Sequence, residues 1–210
     1  MPLILASTSP RRRELLALLG IPFDVRGPSF EEQLVVGRSA TQQVMSFAQG
    51  KALSVARQVP EVFVLGSDTV IELDHDVLGK PENLSEARSM LLRLAGHDHY
   101  VHTAVALACS ARAFEVVALS TTTVRMKPFD ERAHEKYLAT RESLGKAGAY
   151  SIQGVGGGLV DSIDGDFLTV VGLPLRLVGL LLTQAGVKVP VDLDALYLTR
   201  PYANWAQFSV

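Results

Sequence analysis

Leu3-Ile4-Leu5-Ala6-Ser7-Thr8-Ser9-Pro10-Arg11-Arg12-Arg13-Glu14-Leu15-Leu16-Ala17-Leu18-Leu19 is the stretch whose reading decides the fold. Four apolar residues predict a short buried strand. Hydroxyls and three guanidiniums follow at once, and Leu15, Leu16, Leu18 and Leu19 then mark one face of a helix. Pro10 suits the first helical turn, where its missing N–H is not needed, and Ser9 reads as the N-cap. A helix N-terminus offers unpaired N–H groups and a positive dipole end, which attract phosphate. Guanidinium adds forked donors that match phosphate oxygens. The bland alternative is a capped amphipathic helix with a solvated basic start. Polar clusters farther along the chain, which make sense together only around an anion, favour the functional reading.

Strand and helix signals continue to alternate outward from this unit. Phe23–Arg26 reads as a second strand. A helix is expected from Thr41, as cap, to about Arg57, with Val44, Phe47, Ala48 and Leu53 on its apolar side. Val62–Leu65 is a fully apolar, central strand that ends in Gly66-Ser67-Asp68-Thr69 and resumes as Val70–Leu73. Asp74–Asp76 reads as a hairpin turn, and Ser85–Leu94 as a helix. Strands follow at His99–Ala108, Phe114–Leu119 and Ser120–Met126, then a helix at Asp130–Ala139. Gly145–Gly158 is glycine-rich loop. Leu159–Ile163 and Phe167–Val171 read as a hairpin around Asp164-Gly165-Asp166, and a last helix ends near Gly186. The fold class is therefore α/β: a mixed twisted sheet with flanking helices, in two lobes around a cleft. Residues 1–186 form the main domain. Residues 187–210 read as an appended tail, whose Tyr197, Tyr202, Trp205 and Phe208 suit an apolar patch or a subunit contact.

Composition narrows the function. The 210 residues carry a net charge of −2, which argues against a dedicated nucleic-acid binder but not against a small anion held locally. The single cysteine, Cys109, leaves no disulfide framework within the chain and reads as a buried packing residue, in keeping with a reducing cytoplasm. Its opening apolar stretch is short and lacks a basic flank, so no secretory signal is expected. The longest apolar segment, Val170–Leu182, is interrupted by Pro174 and Arg176, so no membrane span is expected either.

Five polar clusters carry the chemistry. The first is the Ser7–Arg13 mouth. The second is Asp68, a carboxylate at the end of a central strand, where α/β folds concentrate functional groups; its plain alternative is a turn aspartate. Glu31-Glu32 is a hard-oxygen pair able to hold Mg²⁺ beside phosphate, or else a solvated acidic loop. Lys51 and Lys80 are candidate phosphate-binding point charges, or ordinary surface lysines. Last, Lys146–Gly154 combines small residues with Gln153, whose amide can read a base edge. His97, His99 and His102 lack zinc-site spacing and read as surface or partly buried polar groups.

Taken together, Ala6–Arg12, Gly66–Asp68, Gly79–Pro81, Lys146–Gly154 and Val171–Pro174 resemble, in order, the motifs of the Maf family of nucleoside triphosphate pyrophosphatases. The likeness spans about Leu3–Ala185. It implies a fold similar to the inosine-triphosphate pyrophosphatases, cleavage between the α and β phosphates, a divalent cation (Mg²⁺ or Mn²⁺) and a homodimer. By the same resemblance Asp68 accepts the proton of the attacking water. Glu32 and Asp68 hold the metal, and Ser7, Arg12, Lys51 and Lys80 grip the triphosphate. Arg11, Thr69 and Gln153 match the family's dTTP/UTP group rather than its 7-methyl-GTP group. Broad nucleotide specificity, or a nucleotide-binding regulator of cell division without turnover, are the alternatives. Gly50 departs from the glutamate the family usually carries before the helix lysine, which bears on a metal or lysine-positioning contact.

Overall fold

The computed structural model describes residues 3–208. Its elements run β1 (Leu3–Ala6), α1 (Pro10–Ala17), β2 (Asp24–Arg26), α2 (Ala40–Ala56), β3 (Phe63–Leu73), β4 (Asp76–Leu78), α3 (Leu84–Leu94), β5 (Asp98–Cys109), β6 (Phe114–Met126), α4 (Glu131–Ala139), β7 (Val160–Asp164), α5 (Phe167–Val171), α6 (Leu175–Gln184) and α7 (Leu193–Thr199). Strand order is β2-β1-β3-β5-β6-β7, with β4 paired to β3. β1 runs parallel to β2 and β3, whereas β4 on β3 and β7 on β6 are antiparallel. The sheet is thus mixed, as the sequence pattern requires. Among the described residues, no helix is long and apolar enough to cross a membrane.

Packing divides the chain into two compact units. One holds the chain up to Asp68 with Thr103–Ser120 and Gly172–Thr199; the other holds Thr69–His102, Thr121–Val171 and the chain from Arg200. In the first unit β1 is buried throughout, and Leu3, Ile4, Leu5 and Ala6 pair with Phe63, Val64, Leu65 and Gly66. α2 buries Val44, Phe47, Ala48, Lys51, Ala52 and Val55, a helical stripe in which one position is a lysine. α6 and α7 meet where Gly179 leaves no room: a Cβ there would lie 2.6 Å from Leu193. Residues 187–199 are therefore part of this unit's packing. Cys109 is fully buried, its thiol donating to the Pro60 carbonyl at 3.3 Å.

In the second unit the Asp74-His75 turn has both residues at positive φ (52° and 69°), the primed geometry that matches strand twist. α3 is capped by Asn83 and α4 by Asp130, each side chain accepting a backbone N–H in the first turn. Trp205 and Phe208, read from the sequence as part of an appended tail, are buried in this unit. Trp205 is 1% exposed and stacks on Phe167 at 5.9 Å, and Phe208 stacks on the same ring at 5.8 Å.

Several sequence expectations need correction. Ser39, not Thr41, caps α2: its hydroxyl accepts the Gln42 N–H while the Gln42 side chain accepts the Ser39 N–H, a complete capping box. Ser9 stands at the N-cap of α1 but makes no capping bond through its side chain. Phe167–Val171 is helical, not a strand. The Asp166 carboxylate accepts the Leu168 N–H at 2.9 Å and its carbonyl accepts the Thr169 N–H, which start a turn of helix, while β7 pairs with β6 instead. His99 and His102 are buried. His102 is suspended between the Thr121 hydroxyl (2.8 Å) and Glu72 (3.0 Å), which satisfies both ring nitrogens.

His99 meets the Tyr150 hydroxyl through Nε2 at 2.8 Å, and its Nδ1 has no hydrogen-bond partner. Burial pushes this imidazole down to about 4, against a smaller opposing pull from Asp98. Burial also pushes the Tyr150 hydroxyl upward, with Tyr137 adding to it. The folded state therefore refuses a proton that the unfolded chain accepts below its ordinary value near 6.5. Stability is present in full above that value and is lost as pH falls toward 4. We expect wild type to lose about 2–3 kcal/mol more than His99→Gln between pH 7 and pH 4.5, read by urea unfolding. Trp205→Ala should cost about 3–5 kcal/mol at neutral pH, seen as a lowered thermal midpoint.

Candidate active site

Gly66 sets the geometry of the first unit's polar cluster. A Cβ at this position would lie 2.4 Å from the Ala48 carbonyl oxygen and 2.7 Å from the Ala52 nitrogen. Only glycine lets β3 approach α2 this closely. The approach places the buried Lys51, one residue before Ala52, within reach of Asp68, two residues beyond Gly66. The Lys51 Nζ donates to Asp68 Oδ1 at 2.6 Å and lies 2.6 Å from Glu32 Oε1. One ammonium thus joins two carboxylates drawn from different parts of the chain. The Lys51 and Asp68 side chains are each 8% exposed, whereas that of Glu32 is 34% exposed.

Arginine and serine complete the cluster. The Arg12 Nη2 lies 3.8 Å from Asp68 Oδ1, and its Nε donates to the Gly172 carbonyl at 2.9 Å. The Ser67 hydroxyl donates to the same carbonyl at 3.1 Å. Burial pulls the proton affinity of the Arg12 guanidinium down, while Asp68 and Glu32 pull it back up; an arginine remains charged through such shifts. Ser7, buried just past β1, accepts the Ser9 N–H through its hydroxyl at 3.1 Å. Arg11 is half-buried in the first turn of α1.

Glu32 sits on a segment without regular structure that is fastened to α2 at two points. The buried Gln43 amide accepts the Val35 N–H (3.1 Å) and donates to the Val35 carbonyl (2.6 Å), imitating a strand partner. Phe30 lies over Gly50, where an added Cβ would come within 2.2 Å of its ring, and pairs with Phe47 at 6.4 Å. The departure at position 50 therefore has a physical reason: an aromatic ring occupies the space of a side chain. Phe30 and Gln43 escaped sequence reading, and Gly172 was read only as part of the Val171–Pro174 motif, since nothing local marks an amide or a carbonyl as a brace.

Thr69, Lys80 and Gln153 belong to the second unit. Thr69 follows Asp68 on β3 and is half-buried. Lys80 is exposed beside Gly79, whose carbonyl accepts the Gly148 N–H at 3.0 Å, so the two motifs around these residues are tied together. Gly148 adopts φ 63°, and a Cβ there would meet Ile71 at 2.7 Å. Gln153 is half-buried and extended, ahead of the helical turn Gly154–Leu159.

The donor set suits a hard divalent cation. Glu32 and Asp68 already converge on one positive group, and carboxylate oxygen is the ligand Mg²⁺ and Mn²⁺ prefer. Among the described residues no group of three or more His, Cys, Asp or Glu is gathered for a metal.

Comparison with known proteins agrees with this chemistry. Residues 2–185 match the family model described as Maf-like protein. A relative from Thermotoga petrophila, named dTTP/UTP pyrophosphatase, is 42% identical over 186 residues, covering 89% of this chain and 90% of the relative. One of the same name from Symbiobacterium thermophilum is 45% identical over 187 residues, covering 89% of this chain and 95% of the relative. Among solved structures, the Staphylococcus aureus Ham1 protein overlays with a TM-score of 0.44 at 14% identity, covering 60% of this chain and 72% of that chain. With one family model covering nearly nine-tenths of its length and relatives above two-fifths identity, this chain belongs to the Maf family.

Proposed function

We propose that this chain hydrolyses dTTP, UTP and modified pyrimidine nucleoside triphosphates to the nucleoside monophosphate and pyrophosphate. One observation carries the reading: Asp68 lies midway along β3, which runs unbroken through Gly66–Thr69 rather than ending there as the sequence suggested, and it is bonded by Lys51 and flanked by Arg12 and Glu32, in a chain whose relatives bear that activity in their names. Lys51 bridges both carboxylates, and Arg12 lies beside Asp68. An arriving triphosphate competes for Lys51 and Arg12, and the exchange releases Asp68 Oδ1 from its ammonium partner. Asp68 then accepts a proton as water attacks the α-phosphorus, and the α–β bridging bond breaks with its electrons leaving on pyrophosphate. Lys80, Lys51, Arg12 and the Ser7 hydroxyl hold the phosphates, stabilising the charge that develops on the leaving group. Mg²⁺ or Mn²⁺ held by Glu32, Asp68 and phosphate oxygens would supply charge neutralisation at the reacting phosphate. Arg11, Thr69 and Gln153 select the base, the Gln153 amide matching the acceptor and donor edge of uracil or thymine. The reading carries with it a cytoplasmic setting, in keeping with the free, buried Cys109, and the homodimer implied by the family resemblance.

Pyrophosphate release from dTTP, UTP, CTP, GTP and 7-methyl-GTP tests this directly. We expect dTTP and UTP to lead, and Asp68→Asn to lower kcat by about 10²–10⁴. Turnover of 7-methyl-GTP alone would remove the base-selection reading and leave the hydrolase. Triphosphate binding without pyrophosphate release would favour a non-catalytic regulator. Lys51→Ala should strip the buried Asp68 carboxylate of its hydrogen-bonded ammonium and leave it only the more distant Arg12 ion pair, at a cost of about 3 kcal/mol in urea unfolding.

A further inference from the structure

Asn204 lies beyond the stretch that the family model matches, yet it bonds both neighbours of the candidate base reader. Its Nδ2 donates to the Ile152 carbonyl at 3.0 Å and to the Gly154 carbonyl at 2.9 Å. Gln153 stands between these two residues, with its backbone extended (φ −85°, ψ 160°) and Gly154 turning to φ 62° after it. One amide group therefore fixes the backbone on either side of a single side chain.

The brace is itself braced. Asn204 adopts φ 66°, a conformation asparagine tolerates better than most residues. Gln207 donates to the Asn204 backbone carbonyl at 3.0 Å and, through Nε2, to Asn204 Oδ1 at 3.3 Å. With the oxygen taken by Gln207, the amino group is turned toward Ile152 and Gly154. Trp205 supplies the anchor, buried against Phe167, and Arg200 Nη1 donates to the Phe208 carbonyl at 3.2 Å, closing the segment on itself. Gly157 makes the approach possible: a Cβ there would lie 2.5 Å from Asn204 Nδ2.

We propose that Asn204 is a positioning residue for Gln153, and that residues 200–208 are a built-in brace that sharpens selection of the pyrimidine base. This inference rests on the assignment of Gln153 as the base reader. A recognition amide on irregular backbone discriminates only if that backbone is held, because small displacements of a hydrogen-bonding group are costly.

The test compares Asn204→Ala, Asn204→Asp, Gln153→Ala and the double variant Asn204→Ala/Gln153→Ala. The aspartate keeps the shape but cannot donate to the two carbonyls. We expect both Asn204 variants to lower kcat/KM for dTTP and UTP about tenfold and to leave any residual GTP turnover unchanged, with Asn204→Ala adding nothing once Gln153 is removed. An equal fall for all nucleotides, or additive losses in the double variant, would overturn the proposal. Hydrogen exchange of residues 151–158 is read in parallel and needs no turnover. Faster exchange in Asn204→Ala supports the brace, and unchanged exchange refutes it. If wild type releases no pyrophosphate from any nucleotide, the proposed reaction fails, and the exchange measurement still decides whether the brace exists.

Discussion

A charged lysine in the buried stripe of a helix has to be answered by opposite charge, and the first unit is arranged around that requirement. Lys51 occupies a position where α2 otherwise presents Val44, Phe47, Ala48, Ala52 and Val55 to the interior. Leaving an ammonium there without a partner would cost several kcal/mol. Gly66 solves the problem by letting backbone meet backbone, so that the stretch of β3 bearing Asp68 comes alongside the helix. Glu32 adds the second negative group from a segment that has no regular structure and is held to α2 by Phe30 and Gln43. Arg12 and Ser67 then converge on one carbonyl, that of Gly172.

Such a cluster balances two cations against two carboxylates and is poised by competition rather than by emptiness. Adding a polyanion tips the balance in one direction only: the cations gain a better partner, and the carboxylates are released to other work. Lys51 is shared by Glu32 and Asp68, and Asp68 by Lys51 and Arg12, so the charges are linked rather than paired one to one.

Much of this was legible from the residues. β1 and the basic start of α1 were written in a hydrophobic run broken by polar residues, and those signals are local; the same kind of break at Gly66–Thr69 misled, because β3 continues through it to Leu73. Errors arose where the deciding contact was a side chain bonding to backbone. Ser39-Ala40-Thr41-Gln42 contains a capping box, yet Thr41 looked equally able to cap. Phe167–Val171 has strand-like composition, but the Asp166 side chain starts a helix there. Lys51 and Asp68 were each recognisable as candidates. That they touch depends on the space left by a missing Cβ at Gly66, which no periodicity reveals. Asn204 was invisible for the same reason: its partners are carbonyls some fifty positions away.

The Gly172 carbonyl also sets an order of events. It is separated from Arg12 by 160 positions, and the hydrogen bond between them orients the guanidinium that flanks Asp68. A ribosome releases the carbonyl 160 positions after the arginine. N-terminal fragments, however well folded locally, therefore lack the group that orients this arginine. Growing chains cannot orient Arg12 against Asp68 in this way before Gly172 has been added, so the charge cluster is completed late relative to the strand and helices that carry most of it.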